Sequence, residues 1–227
     1  MKQSDASGLH VSGLCYQVEG RILLDHVELS VAPGESVAVT GPSGSGKSTL
    51  LMCVLGLIEP QAGTITAGGR EITGLGSGQL AQVRRETMGM VFQFGELLPE
   101  LSPVENVALP VLLDGGRHQD AYRDAKELLD ELGVPADSTP TGMLSGGERQ
   151  RTAVARALIT APEVLLADEP TGALDPDAKE GVAQLLFSAA RDRRCALLLV
   201  THDLSVAGRA DRRHELRGGI LAEAGVV

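Results

Sequence analysis

The sequence lacks long apolar runs. Although 43% of its 227 residues are hydrophobic, no stretch approaches the roughly 18 apolar residues that a membrane-spanning helix needs. The longest candidate, Ala196 to Val200, predicts a short strand instead. The polar segment from Met1 to His10 also lacks the apolar core of a secretory signal. We therefore expect a protein that does not cross a bilayer and stays in the cytosol.

Cysteine is scarce. The three cysteines, Cys15, Cys53 and Cys195, are far apart, odd in number and without CxxC or histidine spacing. This pattern favours reduced core thiols over disulfides or metal ligands.

Positive charge is also scarce, with 20 Lys and Arg against 30 Asp and Glu and a net charge of -10. The short arginine clusters within residues 191–194 and 209–213 are interrupted by acids and predict solvated faces. Because a negative protein repels a phosphate backbone, we expect no nucleic-acid partner.

The pattern of strands and helices predicts an α/β fold. A chain of this length fits one domain, or one domain with a small appended lobe. Short apolar stretches separated by Gly and Pro turns predict a β-rich opening from Leu9 to Val39, and a helix follows over Gly46 to Leu57. The runs Val164 to Ala167 and Ala196 to Val200 are typical of buried parallel strands. Helices predicted at Glu148 to Ile159 and Asp177 to Ala190 would cover them.

The middle third predicts a separate helical lobe. Pro99, Pro103 and Pro110 break up the stretch after Gln93. Beyond them, Asp120 to Leu132 predicts an amphipathic helix that Gly133 and Pro135 close.

A glycine-rich segment between a predicted strand and a predicted helix matches the pattern GxxxxGK[ST]. Its backbone N–H groups and the helix N-terminus would face phosphate, Lys47 would reach the β- and γ-phosphates, and Ser48 would bind Mg²⁺. By itself the loop fits kinases, GTPases and motor ATPases equally well. The residues expected to contact nucleotide are Gly41, Ser43, Gly44, Ser45, Gly46, Lys47, Ser48 and Thr49.

Two later predicted strands are followed directly by side chains that can take part in catalysis. Open parallel sheets bind their ligands at these carboxyl ends of the strands. Asp168 would hold Mg²⁺, and Glu169 would polarise the attacking water as a general base. His202 follows the last of these strands, where it is either structural or a hydrogen-bond donor to the γ-phosphate. Paired acids at a strand end are otherwise a solvated turn.

The segment Leu144-Ser145-Gly146-Gly147-Glu148 begins a predicted helix. Ser145 and Glu148 have the spacing of a capping box. Two glycines at a positive helix end would also expose N–H groups to a second phosphate. The alternative is simply a well-capped helix.

At this segment the sequence resembles the ABC ATPases, whose signature LSGGQ occurs here as LSGGE, between the phosphate loop and the acidic strand. The resemblance covers essentially the whole chain. It implies a P-loop NTPase core with a mostly parallel sheet, an N-terminal antiparallel β lobe and an inserted helical signature lobe at residues 94–158. It also implies an ATPase that uses ATP and Mg²⁺ and forms a head-to-tail homodimer. In that dimer Ser145, Gly146, Gly147 and Glu148 of one subunit would clamp nucleotide held by the other.

The resemblance assigns further roles by position. It implies that Tyr16 stacks on adenine, although a Tyr there also suits simple strand packing. It implies that Gln93 senses Mg²⁺ and water, that His202 is the switch histidine, and that Ala173-Leu174-Asp175 crosses the dimer. Gly172 replaces the common Ser or Asn before that segment.

Within the family, Val91-Phe92-Gln93-Phe94 and Glu105-Asn106-Val107 are similar to the branch of lipoprotein-release and macrolide or peptide export ATPases. The resemblance implies an exporter bound to a separate, FtsX-like membrane permease on the inner face of the cell membrane. Phe94, Leu97 and Leu98 would line a groove for a permease helix, or else form the core of the helical lobe. A second hypothesis is an FtsE-like regulatory ATPase that signals without moving a solute. A third, an ABC ATPase acting on ribosomes or DNA, requires two fused units or a long coiled-coil insertion, which do not fit this chain.

Overall fold

A computed structural model describes residues 8–135 and 140–224 of the chain. Within these residues one sheet is antiparallel and has four strands: β1 (Leu9–Val18), β2 (Arg21–Val31), β4 (Ala62–Ala67) and β5 (Arg70–Glu71). Their order across the sheet is β2-β1-β4-β5. This sheet confirms the β-rich opening.

The larger sheet of the described residues has six strands: β3 (Ser36–Thr40), β6 (Met88–Val91), β7 (Val164–Asp168), β8 (Ala196–Val200), β9 (Arg212–Arg217) and β10 (Ile220–Glu223). Their order is β10-β9-β3-β8-β7-β6. All neighbouring pairs are parallel except the hairpin of β9 and β10. The predicted α/β architecture is therefore confirmed.

The central strands are apolar on both faces because helices or strands cover both sides. In β8, Leu197 and Leu199 face one hydrophobic cluster, whereas Leu198 and Val200 face the other. The helices are α1 (Lys47–Val54), α2 (Ser77–Thr87), α3 (Pro103–Leu113), α4 (His118–Glu131), α5 (Gly146–Leu158), α6 (Pro176–Asp192) and α7 (Leu204–Ala207). None of the helices in the described part of the chain is long and apolar enough to span a membrane.

Residues 94–102, which contain Pro99, have no helix or strand, as predicted. Pro103–Leu113 is one continuous helix, so the prediction that Pro110 breaks the chain there was wrong. Pro103 occupies the first turn, where a missing N–H costs nothing, and Ser102 and Glu105 form a capping box at the same end. Pro110 lies inside the helix. Buried Val107 and Ala108 anchor α3 against its neighbours, so tertiary packing outweighs the proline penalty.

Helices α3, α4 and α5 share one hydrophobic cluster with the central sheet, represented by Val107, Leu129 and Val154 alongside Leu165 and Leu197. The helical region therefore packs on the same core that carries the strand ends. Its treatment as a subdomain over residues 94–158 stays a prediction.

The cysteines differ in their burial. Cys53 and Cys195 are buried, as expected for core thiols, and burial raises the pKa of Cys53 to about 11. Cys15 is only partly buried.

Candidate functional site

The phosphate loop between β3 and α1 has a backbone that only glycine fits at two positions. Gly41 and Gly46 have φ values of +148° and +106°. A Cβ at Gly41 would lie 2.4 Å from the carbonyl oxygen of Leu216, and one at Gly46 would lie 2.5 Å from that of Leu23. Strand β9 and strand β2 therefore hold the loop in place by direct backbone contact.

Helix α1 starts at this loop with no side chain capping its N-terminus. Its first N–H groups lack partners within the helix and form a positive end. Lys47 is only 8% exposed, and its Nζ donates to the carbonyl oxygens of Gly41 at 2.9 Å and Pro42 at 3.1 Å. The buried Oγ of Ser45 has no hydrogen-bond partner among the described residues. The loop thus has donors available for an anion.

A cavity of about 650 Å³ opens in front of the loop. It brings together nine of the residues predicted from sequence: Gly41, Ser43, Gly44, Lys47, Ser48, Gln93, Asp168, Glu169 and His202. Four further lining residues were not predicted as nucleotide-site residues: Pro42, Phe92, Phe94 and Glu96. Phe94, expected in a permease groove, is 67% exposed on this wall.

Asp168 ends β7 beside the phosphate loop. Burial raises the pKa of its carboxyl group, and the charge of Glu169 adds to this effect, while a hydrogen bond from Ser48 and the charge of Lys47 oppose it. A half-buried carboxylate beside a second acid is electrostatically costly unless a cation is close. The position therefore suits a group that binds a metal ion.

Glu169 has a left-handed backbone, with φ of +45°. Its Oε1 accepts a hydrogen bond from His202 N at 2.9 Å and is 2.8 Å from His202 Nδ1. Its Oε2 accepts a hydrogen bond from Thr201 Oγ1 at 3.0 Å. The side chain is 16% exposed, compared with 67% for His202. The carboxylate is fixed at the edge of the cavity by the end of the neighbouring strand.

Sequence reasoning missed the role of Thr201. This residue is fully buried, and its hydroxyl also accepts a hydrogen bond from Asp203 N at 3.0 Å. Its place directly before His202 at a strand end was the only available signal.

Gln93 follows β6 and reaches the cavity wall close to Gly172. A Cβ at Gly172 would lie 3.0 Å from Gln93 Nε2, so glycine leaves Gln93 more space than a larger residue would. Helix α5 holds the segment around Gln93, because Gln150 donates to Phe92 O at 2.8 Å and Arg156 to Gly95 O at 2.6 Å.

The remaining predicted residues are not among those lining the cavity: Tyr16, Ser45, Gly46, Thr49, Ser145, Gly146, Gly147, Glu148 and Asp175. Two of them, Ser45 and Gly46, belong to the phosphate loop, and Thr49 belongs to the first turn of α1. Tyr16 is half-buried in β1 and packs against the cluster under the antiparallel sheet.

The capping box at the start of α5 is confirmed. Glu148 N donates to Ser145 Oγ at 3.3 Å, and Ser145 N donates to Glu148 Oε2 at 2.8 Å. Hydrogen bonds from the Ser145 side chain and backbone lower the pKa of Glu148. Ser145 is exposed, whereas Gly147 is buried next to Ala178 of α6. The Ser145 side of this helix N-terminus therefore faces outward. Asp175 caps the neighbouring helix α6 by accepting from Asp177 N and Ala178 N.

Comparison with known proteins supports the resemblance. The model of the family described as ABC transporter matches residues 24–172. The lipoprotein-releasing system ATP-binding protein LolD of Chromohalobacter salexigens is 44% identical over 202 residues, which span 88% of this chain and 85% of that protein. The protein of the same name from Granulibacter bethesdensis is 45% identical over 206 residues and 89% of each chain.

Solved structures give the same result. The dimeric bacterial ABC transporter cassette MJ0796 is 32% identical to this chain, and the two structures match with a TM-score of 0.83. The match covers 96% of this chain and 100% of that cassette. The dimeric post-hydrolysis state of that cassette, bound to ADP and Pi, matches with the same TM-score of 0.83. This chain therefore belongs to the ABC transporter family, as an ATP-binding subunit with ATPase activity.

Proposed function

We propose that this chain powers a separate membrane permease that releases lipoproteins or extrudes peptides. The observation that carries this proposal is its identity of 44% to 45% with lipoprotein-releasing ATP-binding proteins over nearly the whole chain. In this proposal the chain is cytoplasmic and is attached to the inner face of the cell membrane through an FtsX-like permease. Residues 94–158 would form the helical subdomain that meets the permease.

We assign the binding of the ATP phosphates to the loop around Lys47. Its Nζ now donates to two loop carbonyls, and a phosphate oxygen would replace them as a charged, stronger acceptor. Tyr16 would stack on the adenine. The other loop residues would contribute backbone N–H groups: Gly41, Ser43, Gly44, Ser45, Gly46, Ser48 and Thr49.

The same cavity fits Mg²⁺. The Ser48 hydroxyl, the Gln93 side chain and the Asp168 carboxylate line it together, and oxygen ligands are those that Mg²⁺ prefers. When bound, the ion would neutralise charge on the β- and γ-phosphates. The raised pKa of Asp168 is consistent with this role, because a nearby cation would favour the charged form that burial disfavours.

Glu169 would act as the general base for the attacking water. Two hydrogen bonds to opposite oxygens fix its carboxylate at the cavity, which leaves the remaining lone pairs to accept a proton from water. His202, at the same edge, would hold Glu169 and donate to the γ-phosphate. Gln93 would orient the water from the other wall.

The outward-facing N-terminus of α5 supports a head-to-tail homodimer. Ser145, Gly146, Gly147 and Glu148 are not among the residues that line this chain's own cavity, so they would serve the nucleotide of a second chain. Asp175, at the adjacent start of α6, would lie at the same interface. Both structures of the MJ0796 cassette are described as dimeric.

Reconstitution with the permease tests the proposal. The chain and its permease would be placed in liposomes that contain a fluorescent lipoprotein, and ATP-dependent release to an acceptor would be measured. We expect release that requires ATP and the lipid anchor, and none with Glu169→Gln. ATP hydrolysis that responds to the permease without release of any lipoprotein or peptide would overturn the transport proposal and favour the regulatory role.

A further inference from the structure

A β-bulge interrupts the pairing of strands β1 and β2. Between the regular pairs on either side, β1 contributes one residue, Cys15, whereas β2 contributes two, Asp25 and His26. In a regular strand, two successive side chains point to opposite faces. The bulge removes this alternation, so both side chains of β2 approach the one cysteine.

The backbone of the bulge is strained. His26 has φ of +49°, a left-handed conformation that few residues other than glycine adopt. Its N–H donates to Cys15 Sγ at 3.3 Å. The same sulfur donates to Gly13 O at 3.6 Å, so two backbone groups fix the position of the Cys15 side chain. The main chain of Asp25 is fixed as well, because Asp25 N donates to Gly219 O at 2.9 Å.

The side chains place three different ligand atoms together. One sulfur, one imidazole nitrogen and one carboxylate oxygen, from Cys15, His26 and Asp25, all lie within 4.8 Å of one another. In a tetrahedral zinc site the ligand atoms are roughly 3.3 to 3.6 Å apart. His26 Nδ1 and Asp25 Oδ1 form an ion pair at 2.7 Å, which is closer than two ligands of one zinc ion. Their side chains are 81% and 45% exposed, so they can rotate apart to the spacing that zinc requires.

We infer that Cys15, Asp25 and His26 form a binding site for Zn²⁺ or a similar thiolate-binding divalent metal, separate from the phosphate cavity and independent of the proposed transport role. Thiolate and imidazole select zinc over the hard cation Mg²⁺, whereas the phosphate cavity offers oxygen ligands. The thiolate and the carboxylate together balance the charge of the ion. Water completes the tetrahedron, since the site is open to solvent.

The proposed metal site lies between β1 and β2, next to Tyr16. Cys15 immediately precedes Tyr16, the residue that we assign to adenine, and the turn around Gly219 touches Asp25. A bound metal would link β1 to β2 beside Tyr16 and hold the strained bulge. Because the metal binds the folded chain, it would raise the melting temperature.

Cobalt substitution tests the site without relying on ATPase activity. The reduced, metal-free protein is titrated with Co²⁺, and a thiolate-to-cobalt charge-transfer band is measured in the near ultraviolet. We expect a band that saturates at one ion per chain, that Zn²⁺ removes, and that Cys15→Ser abolishes. His26→Ala and Asp25→Asn should weaken metal binding. Zn²⁺ should raise the melting temperature of the wild-type protein but not of Cys15→Ser.

Two histidine variants serve as matched controls. His118→Ala removes another exposed histidine, and His202→Ala removes the imidazole of the nucleotide cavity; both should keep the band. Circular dichroism in the presence of a chelator would verify that every variant is folded. A band that survives Cys15→Ser, the absence of any band, or zinc binding that requires His202 rather than Cys15 would overturn the inference.

Discussion

Thr201 donates its hydroxyl to Glu169 Oε2 at 3.0 Å, on the carboxylate oxygen opposite to the one held by His202. The threonine is fully buried at the end of β8, and the same hydroxyl accepts from Asp203 N. Two neighbouring strand ends are thereby connected through one side chain. Thr201 is thus a positioning residue for the proposed base.

Replacement of Thr201 by valine keeps the shape but removes the hydrogen bond to Glu169, together with the one that the hydroxyl accepts from Asp203 N. We expect kcat for ATP hydrolysis to fall roughly tenfold, the equivalent of one lost hydrogen bond, with little change in KM. Thr201→Ser should restore most of the rate because it keeps the hydroxyl. Steady-state kinetics on the three proteins checks this, and an unchanged kcat in Thr201→Val would show that the contact does not position the base.

Glu169→Gln tests the base itself. The amide keeps the size of the side chain but accepts a proton from water poorly, so turnover should fall at least about a hundredfold while ATP still binds. Phosphate release and equilibrium binding of a fluorescent ATP analogue would be measured together. Glu127→Gln, which changes an exposed acid on α4, is the control and should hydrolyse ATP at the wild-type rate. Normal turnover in Glu169→Gln would assign the base elsewhere.

The main elements of the fold were predictable because their apolar patterns leave little choice. The fully buried run of β8 begins and ends at Ala196 and Val200, as its unbroken hydrophobicity indicates. The start of α5 was equally clear, since Ser145 and Glu148 have capping-box spacing. The site residues Asp168, Glu169 and His202 were also predictable, because parallel strands place their carboxyl ends at one edge of the sheet.

Features that depend on distant contacts were not predictable. Helix α2 is largely polar and exposed, so it lacks the periodic apolar stripe that indicates a helix. Helix α3 contains Pro110, and only its packing compensates for that residue. The bulge that brings His26 to Cys15 depends on the register between two strands, which sequence spacing does not contain.

Gly46→Ala tests the close approach of the phosphate loop to β2. A Cβ there would lie 2.5 Å from Leu23 O on a backbone with positive φ, so the loop must shift. We expect loss of ATP binding and a lower melting temperature. Gly78→Ala in α2 is the matched control, because a Cβ at that position would meet nothing within 4 Å; it should bind ATP normally. Wild-type ATP affinity in Gly46→Ala would contradict the loop geometry.

Acid stability tests the contact between Asp203 and Lys179. Burial opposes ionisation of Asp203, but hydrogen bonds from Lys179 and Ser205 outweigh it and lower its pKa. A carboxyl group with a depressed folded pKa stabilises the protein above its unfolded pKa of about 3.9, and this contribution is lost as the pH falls further. Asp203→Asn should therefore lower the melting temperature at neutral pH and lose less stability on acidification. The melting temperatures of the two proteins would be measured against pH, and equal losses on acidification would contradict the lowered pKa of Asp203.

The proposal that two chains share each nucleotide site can be tested by the size of the protein in solution. Glu169→Gln should hold ATP without hydrolysing it, and light scattering after gel filtration should then show a dimer with ATP and a monomer without it. Adding Ser145→Arg to that variant places a bulky charge at the outward-facing start of α5, so the double variant should bind ATP but remain a monomer. If the double variant dimerised with ATP as readily as Glu169→Gln, the second half of the nucleotide site would not be formed by Ser145 and its neighbours.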